Sequence, residues 1–299
     1  MKKRTLGNSD IEISEISLGC MSLPTSLADA KPIVETALES GVNYFDTADL
    51  YDKGINEEIV GELLKSHRHD IVLATKVGNR WNTGEDGWHW DPSPAHIENA
   101  VKMSLKRLKT DYIDVYQLHG GTIDDPWDEI ISTFEQLKKE GYIRQYGISS
   151  IRPNVFRSFL ERSHGISNMM QYSILDRRAE EWFDEISETY ASVVTRGSIA
   201  KGLLTNEWQK RLENSNGYQT YSKEELQKTL TELQDAYEDI HALSIAYNLS
   251  HPAIASTVIG ASSKQQFLDN LKAYENSQTI KDFSPIDQIT KKEVYSEHR

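Results

Sequence analysis

The chain has 299 residues, 38% of them hydrophobic and 26% charged, which is enough apolar material for the core of one large domain. Its net charge of −13 argues against nucleic-acid binding, because contacts to a phosphate backbone need clustered Lys and Arg. The one cysteine excludes an internal disulfide, and because neither a membrane span nor a signal peptide is evident, a cytoplasmic protein is expected.

Predicted strands and helices alternate along the whole chain. Residues 3–14, with turn residues at 7–10, predict a β-hairpin ahead of the main body that plugs one of its ends. Short apolar segments predict buried strands at 16–20, 42–45, 71–75, 113–118, 142–149, 166–171, 192–195 and 254–259. No linker or shift in composition marks a second domain, so residues 1–299, with the hairpin in 1–14, are expected to form one domain.

Capping residues mark the starts of two of the predicted helices. Ser93 and Pro94 are suited to the N-cap and the first helical position of one of them. The segment Ser222–Glu225 has the pattern of a capping box. The apolar spacing after it predicts one long helix that continues through Leu243 and is closed by Pro252.

Three consecutive predicted strands each end on an ionisable residue, namely Asp46, Lys76 and His119, and Tyr51 follows the first of them by five positions. In a barrel of alternating strands and helices the carboxyl ends of the parallel strands share one rim, where active sites lie. The sequence therefore predicts an α/β fold, a single (β/α)8 TIM barrel, with these four side chains close together.

The four side chains suit proton delivery to a carbonyl oxygen. A phenol with its ordinary pKa of about 10 is a poor donor at neutral pH, but a nearby ammonium stabilises its phenolate. Lys76 is expected to act in this way on Tyr51, with Asp46 as its counter-ion and His119 orienting the substrate. Taken singly, the aspartate reads as a cap, the lysine as a solvated strand end and the histidine as a core residue. Taken together they favour catalysis.

Four segments carry a resemblance to the aldo-keto reductases. Phe-Asp-Thr-Ala-Asp-Leu-Tyr at 45–51, Ala-Thr-Lys at 74–76, Gln-Leu-His at 117–119 and Gly-Ile-Ser-Ser at 147–150 resemble that family's successive signatures in order and spacing. The resemblance implies NADPH-dependent reduction of aldehydes or ketones, with hydride passing from nicotinamide C4 to the carbonyl carbon. Tyr51 would give the proton, and Lys76 and Asp46 would adjust the acidity of Tyr51. His119 would position the carbonyl, as in the carbonyl-reducing rather than the steroid double-bond-reducing members.

The same resemblance implies a set of cofactor contacts. Ser149, Ser150 and Gln171 match positions that bind the nicotinamide amide, although the family usually has Ser-Asn where this chain has Ser-Ser. The segment after the seventh strand resembles the one that wraps the pyrophosphate, with Arg196, Gly197, Ser198, Ile199, Lys201 and Gly202. Arg196 stands where an aromatic residue stacks on the nicotinamide, so it would place a charge beside the oxidised, cationic ring and favour the reduced cofactor.

The segment after the eighth strand resembles the adenosine-binding part of the family, with Gly260, Ser262, Gln266, Asp269 and Asn270. Gln266 replaces an arginine often expected near the 2′-phosphate, although Lys264, Ser262 and Ser263 are available to a phosphate. NADP(H) is therefore the expected cofactor, with NAD(H) as the alternative. Asp46 and Cys20 also fall near the cofactor by resemblance, although for Cys20 a role as a small core residue is the simpler interpretation.

The loops after two of the strands bear on the substrate. Gly120 and Gly121 follow His119 where bulkier residues are usual, which would open the wall beside a small-molecule carbonyl substrate. Trp81, Trp88 and Trp90 are expected to line an apolar pocket or, alternatively, only to pack the loop.

No metal site is predicted, because His67 and His69 precede a strand and His89 has no ligand partner at suitable spacing. Two other functions share the expected fold. One is a cofactor-binding regulatory or redox-sensing subunit of the potassium-channel β-subunit type, and the other is a phosphate-binding barrel isomerase. Nothing in the sequence indicates an oligomeric state.

Overall fold

The computed structural model describes residues 1–82, 84 and 86–299. Its strands, in chain order, are β1 (Lys3–Thr5), β2 (Glu12–Ser14), β3 (Ile16–Gly19), β4 (Tyr44–Asp46), β5 (Val72–Val77), β6 (Asn79–Trp81), β7 (Trp88–Trp90), β8 (Ile113–Leu118), β9 (Ile143–Ser149), β10 (Ser167–Gln171), β11 (Ser192–Arg196), β12 (Gly217–Tyr218), β13 (Tyr221–Ser222) and β14 (Ile254–Gly260). Its α-helices are α1 (Leu27–Glu39), α2 (Ile55–Leu64), α3 (Pro94–Leu108), α4 (Trp127–Lys139), α5 (Pro153–Arg162), α6 (Phe183–Glu188), α7 (Trp208–Glu213), α8 (Lys223–Ala236), α9 (Ile240–Ser250), α10 (Lys264–Ser277) and α11 (Ile286–Ile289).

Eight parallel strands close into a barrel, in the order β3, β4, β5, β8, β9, β10, β11 and β14, with β14 pairing back to β3. The predicted barrel and the predicted strands are confirmed to within one or two residues at their ends. Neighbouring strands pair Gly19 with Asp46 and Lys76 with Gln117. Because the strands are parallel, residues at their carboxyl ends lie on one rim.

The N-terminal hairpin, β1 paired with β2, packs against one end of the barrel. Leu6, Ile11 and Ile13 share an apolar cluster with the side chains that fill the barrel interior: Tyr44, Val72, Ala74, Val115, Ile166, Met169, Val194, Ala255 and Val258. Asn43, just before β4, accepts a hydrogen bond from the Ser14 backbone N–H at 2.7 Å. The hairpin is thus fixed at the amino ends of the strands, which leaves the carboxyl ends accessible.

Two helix starts agree with the sequence prediction, whereas one predicted long helix is divided into two helices. Ser93 caps α3 with Pro94 at its start, and Ser222 and Glu225 form a complete capping box for α8. The prediction of one unbroken helix from there to Pro252 is wrong, because α8 ends at Ala236 and α9 starts at Ile240. Tyr237 is extended (φ −137°, ψ 128°), and the Asp239 side chain accepts from the Ala242 N–H at 2.9 Å. An aspartate suits a cap better than a helix interior.

Candidate active site

The carboxyl rim brings the four predicted catalytic side chains together. Asp46 is the last residue of β4, Lys76 lies near the end of β5, and His119 directly follows β8. Tyr51 begins a short turn that runs from Tyr51 to Gly54 and leads into α2. The rings of Tyr51 and His119 meet edge to face, with 5.9 Å between their centroids and an angle of 86°.

Lys76 is the centre of this cluster. Its ammonium donates to Asp46 Oδ2 at 2.6 Å, to the Thr47 carbonyl oxygen at 2.7 Å and to Tyr51 Oη at 3.3 Å. An ammonium has three N–H donors, so these contacts use all of them and fix its direction. Gln117 Nε2 donates to the other oxygen of Asp46 at 3.1 Å. Strand alternation places Gln117 on the same side as His119, a signal that the prediction of the site did not use.

Burial and pairing oppose each other at the Asp46–Lys76 ion pair. Burial raises the pKa of Asp46, and the Lys76 ammonium and the Gln117 amide offset part of that rise. Burial by itself lowers the pKa of Lys76, but the attraction of Asp46 and Tyr51 outweighs it, so this pKa lies above its ordinary value. Lys76, only 1% exposed, therefore remains an ammonium in contact with the phenol.

His119 is a neutral imidazole at physiological pH. Burial lowers its pKa to about 3, and the positive charges of Lys76 and Arg196 act in the same direction. Asn79 Nδ2 donates to the His119 backbone carbonyl at 2.9 Å, which fixes the chain at this point. A neutral imidazole keeps one N–H, which it can donate to a substrate oxygen without being a strong acid itself.

A groove leads away from this cluster along the rim. A cavity of about 1050 Å³ is lined by Asp46, Tyr51 and His119 and by the predicted cofactor residues Ser149, Gln171, Arg196, Gly197, Ser198, Ile199, Lys201 and Gly260. A second cavity of about 630 Å³ is lined by Ile199, Lys201, Gly202, Gly260, Ser262, Gln266, Asp269 and Asn270. The two share the lining residues Ser22, Ile199, Lys201, Arg211 and Gly260, so they form one continuous site.

The larger cavity of this groove carries more positive than negative charge along its lining. Arg196, Lys201 and Arg211 line it, and within residues 1–82, 84 and 86–299 none of them forms an ion pair. All three side chains are exposed in this groove, where a negatively charged ligand can reach them. Ser198 adds a buried hydroxyl without a hydrogen-bond partner among the described residues. The three cations and the Ser198 hydroxyl therefore suit a ligand that carries negative charge and hydrogen-bond acceptors.

Comparison with known proteins identifies the family. Residues 15–291 match the model of the aldo/keto reductase family. The chain is a member of the aldo-keto reductase family. It is 51% identical to an uncharacterised oxidoreductase of Bacillus subtilis, over 100% of both chains. It also superimposes with a TM-score of 0.94 on the holo form of an aldo-keto reductase from Bacillus halodurans, at 51% identity over 100% of this chain and 99% of that one.

A more distant relative is the NADH-specific methylglyoxal reductase of Escherichia coli, 29% identical over 91% of this chain and 93% of the relative. As a member of the aldo-keto reductase family, the protein is an oxidoreductase, of a family that uses nicotinamide cofactors.

Two of the predicted cofactor residues, Ser150 and Cys20, are not among the residues that line the groove of this aldo-keto reductase. Ser150 is buried, and its hydroxyl accepts from the Arg152 N–H at 3.2 Å. Cys20 is fully buried, whereas Gly19 and Met21 on either side of it line the groove. Their assignment to the cofactor stays a prediction.

The structure also adds lining residues that the sequence did not indicate, namely Met21, Ser22, Arg211 and the segment 214–219. They come from the turn after β3, from the short helix α7 and from the segment after α7 that includes β12, and none of these short pieces carries a periodic signal that would place it at the rim.

The three predicted pocket tryptophans lie on the small sheet β6–β7, which follows Lys76. Trp81 Nε1 donates to the Leu50 carbonyl at 3.1 Å, and its ring lines a separate cavity of about 350 Å³. Trp88 is 53% exposed. Trp90 Nε1 donates to the Asp125 carboxylate at 3.0 Å, and its ring packs against two glycines, Gly78 and Gly120. The space expected at Gly120 is thus occupied by the Trp90 ring, and pocket lining by the three indoles stays a prediction.

Two further findings concern membrane spanning and metal binding. No helix in the described part of the chain is long and apolar enough to cross a membrane. Among those same residues, His, Cys, Asp and Glu form no cluster of three or more that could hold a metal ion.

Proposed function

We propose that this aldo-keto reductase reduces aldehyde or ketone carbonyls to alcohols with NADP(H), and that Tyr51 is the proton donor. The observation that carries the proposal is the contact of 3.3 Å between the buried Lys76 ammonium and the Tyr51 hydroxyl, next to the neutral ring of His119. A phenol beside a fixed positive charge can give up its proton because the phenolate it leaves is stabilised.

In this proposal the carbonyl oxygen lies between Tyr51 and His119. The His119 N–H orients and polarises the carbonyl, and the Tyr51 hydroxyl transfers its proton to the oxygen as the alcohol forms. Lys76 stabilises the phenolate that remains, while Asp46 and Gln117 hold Lys76 in place. The bound nicotinamide supplies the hydride that reduces the carbonyl carbon.

The proposed cofactor contacts follow the groove. At the catalytic end Ser149 and Gln171 would hold the nicotinamide amide, and Gln171 already accepts from Arg196 Nη1 at 3.0 Å. The turn at Gly197 and the residues Ser198, Ile199, Lys201, Gly202 and Gly260 would hold the pyrophosphate. Ser262, Gln266, Asp269 and Asn270 would hold the adenosine at the start of α10.

The choice of NADP(H) over NAD(H) depends on the adenosine end. Lys201, Arg211 and Lys272 line it together with the acidic residues Glu207, Asp239 and Asp269. Gln266 Oε1 accepts from both the backbone N–H and the hydroxyl of Ser262, each at 3.0 Å. These two donors would become available to a 2′-phosphate oxygen if the Gln266 side chain rotated away. Titration of the protein with NADPH and with NADH tests this choice, and equal or tighter binding of NADH would contradict it.

The reaction is tested by following the consumption of NADPH with a panel of aldehydes and ketones. Steady consumption with the wild type and its loss in Tyr51→Phe are expected, while Tyr190→Phe, at a surface tyrosine that is 74% exposed, should match the wild type. A subunit of the channel type would retain its cofactor without turnover, and an isomerase would oxidise no NADPH with any carbonyl. Either outcome would refute the proposed activity.

A further inference from the structure

Arg196 places an exposed positive charge at the catalytic end of the groove. It is the last residue of β11, and its neighbours in the sheet are Gln171 and Val258. Its one side-chain hydrogen bond goes to the neutral Gln171 amide at 3.0 Å, and no carboxylate among the described residues forms an ion pair with it. Its charge nevertheless acts on the catalytic groups, because it contributes to the lowered pKa of His119.

The charges of the catalytic cluster, and those beside the Gln171 amide that Arg196 contacts, cancel in pairs. Lys76 and Asp46 are 2.6 Å apart, and Arg178 and Asp176 are 2.7 Å apart. His119 is uncharged because its pKa lies near 3. The guanidinium of Arg196 therefore leaves the catalytic end with a net positive charge.

The two redox forms of the cofactor differ in charge at this end of the groove and not at the other. Hydride transfer requires the nicotinamide ring beside the carbonyl that Tyr51 and His119 hold, in the cavity that Arg196 also lines. The oxidised ring is a cation and the reduced ring is neutral, while the phosphate groups are the same in both. We infer that Arg196 makes the protein bind reduced nicotinamide cofactor more tightly than oxidised cofactor, which favours carbonyl reduction and release of the oxidised product.

This inference rests on the proposed function, and its test is binding rather than turnover. Dissociation constants for NADPH and NADP⁺ are measured at low ionic strength, by cofactor fluorescence and by displacement, for the wild type and the variants. Arg196→Gln should lower the ratio of the NADP⁺ to the NADPH constant by about tenfold, which corresponds to about 1.4 kcal/mol. Arg196→Lys retains the charge and should retain a ratio near that of the wild type.

Lys201→Gln is the matched control, because Lys201 is also a cation of the groove without an ion pair to any described residue, but lines the part shared by the two cavities. Its loss should weaken both redox forms by the same factor and leave their ratio unchanged. Since exposed charges are screened by salt, the wild-type ratio should also fall as the ionic strength rises.

A change of less than about threefold in Arg196→Gln, well under the expected tenfold shift of about 1.4 kcal/mol, would overturn the inference while the proposed function stands. An equal change in the ratio in Lys201→Gln would overturn it as well, because the effect would then not belong to Arg196. If the wild type binds neither NADPH nor NADP⁺, the proposed function fails and the inference fails with it. Thermal unfolding of each variant verifies that it is folded.

Discussion

Replacing Lys76 by Met removes the ammonium in contact with the Tyr51 hydroxyl while keeping a side chain of similar length. At 3.3 Å, and with an effective dielectric constant of about 20, the attraction between an ammonium and a phenolate is about 5 kcal/mol. Asp46 lies 2.6 Å from the same ammonium and opposes part of this attraction. The turnover number of Lys76→Met is therefore expected to fall by roughly 10² to 10⁴, at least as much as in Tyr51→Phe.

The same substitution leaves Asp46 buried without its counter-ion. Removing one partner of a buried ion pair typically destabilises a protein by about 3 to 5 kcal/mol. Burial already raises the pKa of Asp46, and without Lys76 it rises further, so the folded state holds a proton that the unfolded chain releases above about pH 3.9. The variant should therefore be most stable, relative to the wild type, at low pH and lose stability as the pH rises.

Two measurements separate these effects. Urea unfolding across pH reports the stability, and NADPH consumption with saturating cofactor reports the turnover number. The double variant Asp46→Asn, Lys76→Met removes both charges, so it should recover much of the lost stability but none of the activity. A single Lys76→Met variant that turns over at the wild-type rate, or whose unfolding free energy is unchanged at neutral pH, would refute this account of the pair.

Three further predictions follow from the same site. Tyr51→Phe should reduce the turnover number by roughly 10² to 10⁴. Its NADPH dissociation constant should stay near that of the wild type. If turnover is retained, Tyr51 is not the proton donor. Because burial lowers the pKa of His119 to about 3, this residue should make the wild type lose stability as the pH falls from about 6.5 towards 3, a slope that His119→Gln should reduce in acid unfolding. Gly78→Ala should destabilise by about 1 to 3 kcal/mol, because its methyl group would lie 2.4 Å from the Trp90 ring. Gly141→Ala, also at positive φ but with open space around it, isolates the backbone strain, and equal losses in urea unfolding would disprove the clash.

The barrel and the cluster of polar side chains at its carboxyl rim were predictable because their signals are local. A buried strand shows as a short apolar run, and a charged residue at its end marks the rim wherever strands and helices alternate. The positions of Asp46, Lys76 and His119 at the rim could be predicted without knowing which side chains they contact. The cap of α3 at Ser93 and the capping box at Ser222 depend only on residues within one turn, and both were predicted correctly.

The sequence by itself determined the fold and which residues stand at the strand ends, since helices, strands and their caps are specified by neighbours along the chain. Only the tertiary structure decided which partner each side chain has. The Trp90 indole N–H donates to Asp125, thirty-five positions away, instead of facing the groove. Arg196 donates to a neutral amide rather than to a carboxylate. Such contacts join segments that are distant in sequence, so no local pattern encodes them.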